Sequence, residues 1–169
     1  MKRILIIGNA GSGKTTFAKE LAKKTQLPLI HLDKLFWCGE WEHLSRDEFD
    51  TILQEELDKD EWIIDGNFSR TIPHRLKYCD TVFYFDLPTI TCLWGATTRV
   101  FKNYGKTRDD MGGNCPEYFD KQKFELYKSI FLFNRINKKN YTKLIKESTD
   151  KNIIIFKNRK QADRYLKDI

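Results

Sequence analysis

Four consecutive apolar residues, Ile4, Leu5, Ile6 and Ile7, run directly into Gly8-Asn9-Ala10-Gly11-Ser12-Gly13-Lys14-Thr15. The octet satisfies G-x-x-x-x-G-K-[ST] and has the flanks that this pattern requires. Residues 3–7 read as a buried strand. Residues 13–24 read as a helix with Phe17, Ala18, Leu21 and Ala22 on its apolar stripe. Average composition gives odds on the order of one in a hundred for a chance match in such a chain. The strand before and the helix after lower those odds further. Glycines let successive backbone N–H groups turn inward as an anion nest. The helix start adds its partial positive charge. Lys14 can reach the β- and γ-phosphates, and the Thr15 hydroxyl can ligate Mg²⁺. The segment Gly8, Asn9, Ala10, Gly11, Ser12, Gly13, Lys14, Thr15 and Thr16 is therefore the expected seat of ATP and Mg²⁺.

The rest of the chain predicts alternating strands and helices. Pro28 breaks the chain, and residues 29–32 read as a second strand. Ser45-Arg46-Asp47-Glu48 has the form of a capping box and should start a helix to about Leu57. That helix would turn Phe49, Ile52, Leu53 and Leu57 inward. Residues 62–64, 81–85 and 152–156 are further apolar strands. Residues 89–104 read as a helix, 105–116 as a mobile glycine-rich loop, 117–147 as a long helix, whole or broken, and 161–167 as a closing helix. Strands this apolar belong to a parallel sheet covered on both faces. Such sheets bind ligands at the carboxyl ends of their strands. Here Asp33, Asp65 and Asp86 stand just past three of those ends.

A chain of 169 residues is one ordinary domain, and the expected organisation is a single unit over residues 1–169. Its net charge of +6 is unevenly spread. Residues 33–60 hold ten acids against three bases, and residues 99–146 hold twelve bases against five acids. Two sides of a cleft, one handling polyphosphate, would explain this; so would two solvated faces. The four cysteines are too sparse for a disulfide framework and form no C-x-x-C pair, which fits reduced thiols. No apolar run approaches a membrane span, and no secretory leader pattern opens the chain, so a cytoplasmic location is expected.

Missing signatures narrow the class. Asp65 is followed by Gly66, not by the glutamate with which motor ATPases activate water. No Asn-Lys-x-Asp guanine motif and no Leu-Ser-Gly-Gly transporter signature is present. Asp109-Asp110-Met111-Gly112 matches D-x-x-G by chance, since no strand precedes it. A minimal phosphate-loop kinase remains.

These residues resemble the adenylate-kinase-like group of small phosphate-loop kinases, and within it the bacterial DNA topology modulation proteins. The resemblance covers nearly the whole chain. It rests on the loop itself, on His31-Leu32-Asp33 with Phe36-Trp37 and Trp41, and on Trp62-Ile63-Ile64-Asp65-Gly66-Asn67-Phe68. It extends through Cys79-Asp80-Thr81, Asp86-Leu87-Pro88, Cys92-Leu93-Trp94, Arg108-Asp109-Asp110-Met111-Gly112 and Cys115-Pro116-Glu117. It implies an α/β three-layer P-loop NTPase fold with a five-stranded parallel sheet of order 2-3-1-4-5 and a lid. The lid would span about residues 99–118 and the acceptor side about 33–60. Adenylate kinases carry Asp-Gly-Phe-Pro-Arg after the third strand. Asp65-Gly66-Asn67-Phe68-Ser69-Arg70 is similar, one residue longer and without the proline.

On this reading Lys14 and Asp65 are catalytic, with Asp65 orienting a Mg²⁺-bound water. Asp33 would bind the acceptor or accept its proton; its alternative is a helix cap. Arg99, Arg108 and Arg135 lie on or around the lid and could reach the transferring phosphoryl. Arg70 and Arg75 could hold an anionic acceptor, or could pair with the acidic segment. Trp37, Trp41 and Phe36 could stack on the acceptor, or could form a satellite core. The residues Phe119, Phe124, Tyr127 and Phe131 read as helix packing. His31, His43 and His74 receive no role.

The expected partner is a small-molecule phosphate acceptor: a nucleoside, a nucleotide or another small hydroxyl compound. The acidic segment argues against a strongly anionic one. Two other readings compete. One is an ATP-dependent regulator that binds nucleic acid through the basic stretch. The other is a slow ATPase switch. No membrane partner is expected, and the oligomeric state is open.

Overall fold

The computed structural model describes residues 1–169. In chain order the elements are β1 (Arg3–Gly8), α1 (Lys14–Thr25), β2 (Leu29–His31), α2 (Leu32–Phe36), β3 (Trp37–Gly39), β4 (Glu42–His43), α3 (Arg46–Leu57) and β5 (Trp62–Asp65). A 3-10 turn (Ser69–Thr71) leads to α4 (Ile72–Tyr78), β6 (Thr81–Phe85), α5 (Thr89–Lys102), α6 (Lys121–Glu147), β7 (Asn152–Phe156) and α7 (Arg159–Asp168).

The isoleucine-rich run forms β1, and Ile4, Leu5, Ile6 and Ile7 are fully buried. Each is worth roughly 1.5–3 kcal/mol of burial. Only a central strand can hide both faces of such a run. β1 pairs in parallel with β5 on one side and β6 on the other. β2 lies beyond β5, and β7 beyond β6. The order is thus β2-β5-β1-β6-β7. Counted within this sheet alone, it is the expected 2-3-1-4-5. The labels shift because β3 and β4 form a separate antiparallel hairpin that the sequence reading does not anticipate.

The pleat sends alternate β1 residues to two cores. Leu5 and Ile7 pack with Phe49, Leu53 and Leu57 of α3, Leu76 of α4, and Phe133 and Tyr141 of α6. Ile4 and Ile6 pack with Phe17 and Leu21 of α1, Cys92 and Ala96 of α5, Ile130 of α6 and Ala162 of α7. A helix layer on each face gives the three-layer arrangement.

Local chemistry sets the helix ends. Ser45 and Glu48 form the full capping box that opens α3. Asp120 caps α6 by accepting from Lys123 N–H, at 2.9 Å. Residues 121–147 contain no glycine or proline, so α6 runs unbroken for 27 residues. It spans roughly 40 Å and serves both cores. Of the expected aromatic stripe, Tyr127 packs against the core, and Phe119 lies before the helix. Phe119, Phe124 and Phe131 are 48%, 67% and 60% exposed, because Ile130, Phe133, Tyr141 and Ile145 take the inward face.

The glycine-rich loop at 105–116 is folded against the acceptor side. Asp110, Met111 and Cys115 are buried in it. Gly112 N–H donates to Asp33 C=O at 3.4 Å. A Cβ at Gly112 would collide with the carbonyl oxygens of Lys34 and Trp37, so only glycine permits this approach. All four cysteines are free thiols. No helix is long and apolar enough to cross a membrane.

Candidate active site

The carboxyl ends of β1, β2 and β5 open into one cleft of about 1120 Å³. Ala10 to Thr16 line one end. Asp33, Trp37, Trp41 and Met111 line the other, and Arg99, Arg108, Glu117 and Lys123 lie along the wall. Gly8 and Asn9 sit beneath the loop, outside the lining. Gly8 N–H donates to the Asn67 side-chain oxygen at 3.1 Å, and the Asn9 amide donates to Ile130 C=O at 3.0 Å.

Lys14 is buried, and its ammonium donates to the Asn9 carbonyl at 2.9 Å. Burial lowers its pKa, with Asp65 and Asp33 opposing. The Thr15 hydroxyl donates to Asp65 Oδ2 at 2.7 Å. His31 Nδ1 lies 3.3 Å from the same oxygen. Burial pushes the Asp65 carboxyl up, but the His31 ring, the Lys14 ammonium and the Thr15 hydroxyl outweigh it and hold it below the ordinary value. Asp65 Oδ1 is buried with no hydrogen-bond partner. An orphaned carboxylate oxygen beside a threonine hydroxyl, at the edge of an anion nest, is a donor set suited to Mg²⁺.

Helix α5 meets the loop backbone to backbone. Gly11 has φ 75°, and a Cβ on it would strike Cys92 C=O and Ala96 N. A Cβ on Gly95 would strike Gly11 C=O and the Arg159 guanidinium. Arg159, at the start of α7, donates to the carbonyls of Gly11 at 2.8 Å and Ser12 at 3.2 Å. These two bonds tie the backbone of the phosphate loop to the start of α7. The sequence reading assigns no role to Arg159 or Gly95, because both lie far along the chain from the motif.

Asp33 lines the cleft, and its carboxylate makes no hydrogen bond or ion pair. Burial raises its pKa; Arg108 opposes that, while Asp65 and Asp110 add to it. It does not cap α2, whose cap position is His31. Arg108 contacts Asp110 at 2.9 Å and Glu117 at 3.1 Å. Arg99 lies 3.6 Å from Glu117, and the Lys123 ammonium pairs with Glu117 as well. The same ammonium sits 4.9 Å from the Trp41 ring centroid. Trp37 and Trp41 meet edge to face, 5.4 Å apart.

Three arginines expected near the site are elsewhere. Arg70 makes a two-pronged pair with Asp50 on the surface, at 2.6 and 2.7 Å. Arg75 is fully buried behind the loop that follows β5, where it donates to the carbonyls of Gly66, Asn67 and Phe68 and to Thr71. Arg135 is exposed on α6 and does not line the cleft. Phe36 packs on Phe49 and Phe68, at 5.4 and 5.0 Å, so it belongs to the core.

Two solved structures share this architecture over almost the entire chain. A shikimate kinase from Bacteroides thetaiotaomicron aligns with TM-score 0.57 and 16% identity, over 99% of this chain and 95% of that one. A shikimate kinase from Acinetobacter baumannii in complex with shikimate aligns with TM-score 0.56 and 17% identity, over 99% of this chain and 92% of that one. The chain has the fold of a phosphate-loop kinase. A model of the ATPase family associated with various cellular activities (AAA) also matches residues 4–64. That span holds the phosphate loop and stops just before Asp65. No curated protein sequence matches the chain.

Proposed function

We propose that the protein is a Mg²⁺–ATP-dependent phosphotransferase acting on a small hydroxyl-bearing acceptor, a single unit over residues 1–169. The observation that supports this most is the continuity of one cleft from the phosphate loop to the unpartnered carboxylate of Asp33. Residues 33–60 then form the acceptor side, and residues 99–118 the lid. The motif resemblance to DNA topology modulation proteins supports placing the chain near that family.

The loop amides and the Lys14 ammonium bind the β- and γ-phosphates. In doing so Lys14 exchanges the Asn9 carbonyl for phosphate oxygen, a stronger charge-assisted partner. Thr15 and, through water, Asp65 would hold Mg²⁺, which would supply positive charge to offset that of the phosphates. Asp65 stays ionised because His31, Lys14 and Thr15 keep its carboxyl low. Asp33, raised by burial, is suited to take the acceptor's hydroxyl proton. Arg99, whose Nε has no hydrogen-bond partner, lies along the wall between the two ends and can offset developing charge, with Arg108 beside it held by Asp110 and Glu117. Trp37 and Trp41 wall the acceptor end with aromatic surface. Arg70 and Arg75 drop out as acceptor ligands, since both are engaged elsewhere.

The test is ADP formation from Mg²⁺–ATP across nucleosides, nucleoside monophosphates, small hydroxyl compounds and DNA, with Lys14→Ala as the blank. Acceptor-dependent turnover that falls about 10²–10³-fold in Lys14→Ala is the expected result. Turnover indifferent to every small acceptor would defeat the proposal, and stimulation by DNA alone would favour a nucleic-acid regulator.

A further inference from the structure

The acceptor end carries as many negative as positive side chains. Arg99, Arg108 and Lys123 face Asp33, Asp110 and Glu117. Two of the three cations are closely held, and the third, Arg99, stands 3.6 Å from its carboxylate with Nε unpartnered. All converge on one carboxylate, Glu117, which is 1% exposed. Arg108 is held a second time, by Asp110. The lysines that remain unpaired at the cleft, Lys102 and Lys121, are exposed at its mouth and solvated. The one unclaimed charge at the acceptor end is the Asp33 carboxylate.

Three cations around a buried anion are the arrangement that would otherwise grip an acceptor's phosphate or carboxylate. Here the chain supplies that anion itself. A second anion would meet the Glu117, Asp110 and Asp33 carboxylates in the same cleft, with Arg108 and Lys123 already paired. A hydroxyl or amine meets the opposite situation: Asp33 lacks a partner and can accept its hydrogen. The Trp37–Trp41 pair, set edge to face with Lys123 against the Trp41 ring, lines the same cleft as Asp33 with aromatic surface.

We propose that Glu117 is the specificity-determining residue of the acceptor site: its carboxylate holds Arg108 and Lys123 and offsets the charge of Arg99, so the site takes an uncharged or cationic hydroxyl compound with an apolar ring face and turns away phosphorylated or carboxylated ones. This rests on the phosphotransferase reading. In the reaction the acceptor O–H proton passes to Asp33 and a new O–P bond forms to the γ-phosphorus. The bond from that phosphorus to the β,γ-bridging oxygen breaks, and ADP leaves with the electron pair.

The probes are matched pairs that differ by one phosphate: cytidine against CMP and adenosine against AMP. Binding is read from tryptophan fluorescence, and the signal lost in Trp41→Phe assigns it to this site. Transfer is read separately as kcat/KM for ADP formation. The wild type should favour each nucleoside over its monophosphate at least tenfold. Glu117→Gln frees the cations and should cut that ratio at least tenfold. Lys123→Met removes a cation, leaves Glu117 in place and should raise the ratio. Thermal melts establish that each variant is folded, and if Glu117→Gln is not, the wild-type ratio and Lys123→Met still decide. Tighter binding of CMP or AMP than of the nucleosides, no saturable binding by either nucleoside, or ratios unmoved in folded variants would overturn the inference. If the phosphotransferase reading alone is wrong, the binding ratios hold while no γ-phosphate is transferred.

Discussion

Asp33 and Asp65 have the same side chain and opposite surroundings. Burial bears on both, but Asp65 has a hydroxyl, an imidazole and an ammonium around it, whereas at Asp33 burial and two like charges outweigh Arg108 and Lys14. That difference carries through to pH. Asp33 has a raised folded-state pKa, so holding it ionised opposes folding at neutral pH. Asp33→Asn should therefore raise Tm at pH 7 while cutting kcat about 10²–10⁴-fold. In the wild type, kcat should fall as pH drops through a value above the ordinary carboxylate pKa of about 3.9, and that limb should vanish in Asp33→Asn. Asp65 has the opposite sign. Its depressed pKa contributes stability that is full above about pH 4 and lost as pH falls through the lower folded value. The Tm gap between wild type and Asp65→Asn should be wide at pH 7 and narrow near pH 3 in a thermal melt series. The sequence singles out both aspartates by their place after strands. It does not show what surrounds them, because His31 reaches Asp65 only through the β2–β5 register.

At the scale of elements, helix α5 and the phosphate loop form one contact. Gly95→Ala should push α5 off Gly11 and weaken ATP binding at least tenfold by calorimetry, with the fold retained. Arg75 poses a separate test. Its guanidinium satisfies three consecutive carbonyls after β5, so Arg75→Leu should destabilise the fold by about 2–4 kcal/mol in urea unfolding. The sequence announces those helices whose chemistry is local. Ser45 and Glu48 mark α3, and the apolar runs mark the five sheet strands. The β3–β4 hairpin escapes such reading. It is seven residues from end to end, and its turn places Trp41 at φ 63°, a conformation that tryptophan does not advertise. Arg75 escapes for a related reason: a charged residue in a short helix signals solvent, and only the bend after β5 supplies carbonyls to bury it.

At the scale of the molecule, the cleft is assembled from segments spread over the whole chain. Its phosphate end is written in eight consecutive residues and was legible at once. Its other walls depend on α5, α6 and the loop at 105–116 meeting around Glu117, which no local pattern encodes. Ligand binding should stabilise this assembly as a unit. Mg²⁺–ATP at a hundredfold excess over its Kd should add about 2.7 kcal/mol to unfolding, and Lys14→Ala should lose most of that. The order of the sheet also sets a timetable for synthesis. β1 leaves the ribosome before both of its neighbours, residues 62–65 and 81–85. At about 5–20 residues per second, Ile4, Leu5, Ile6 and Ile7 stay without partners for several seconds. The segment that will carry the nucleotide loop thus spends those seconds as a naked, sticky tether, and a nascent chain truncated before Phe85 should be a client for chaperones rather than a binder of ATP.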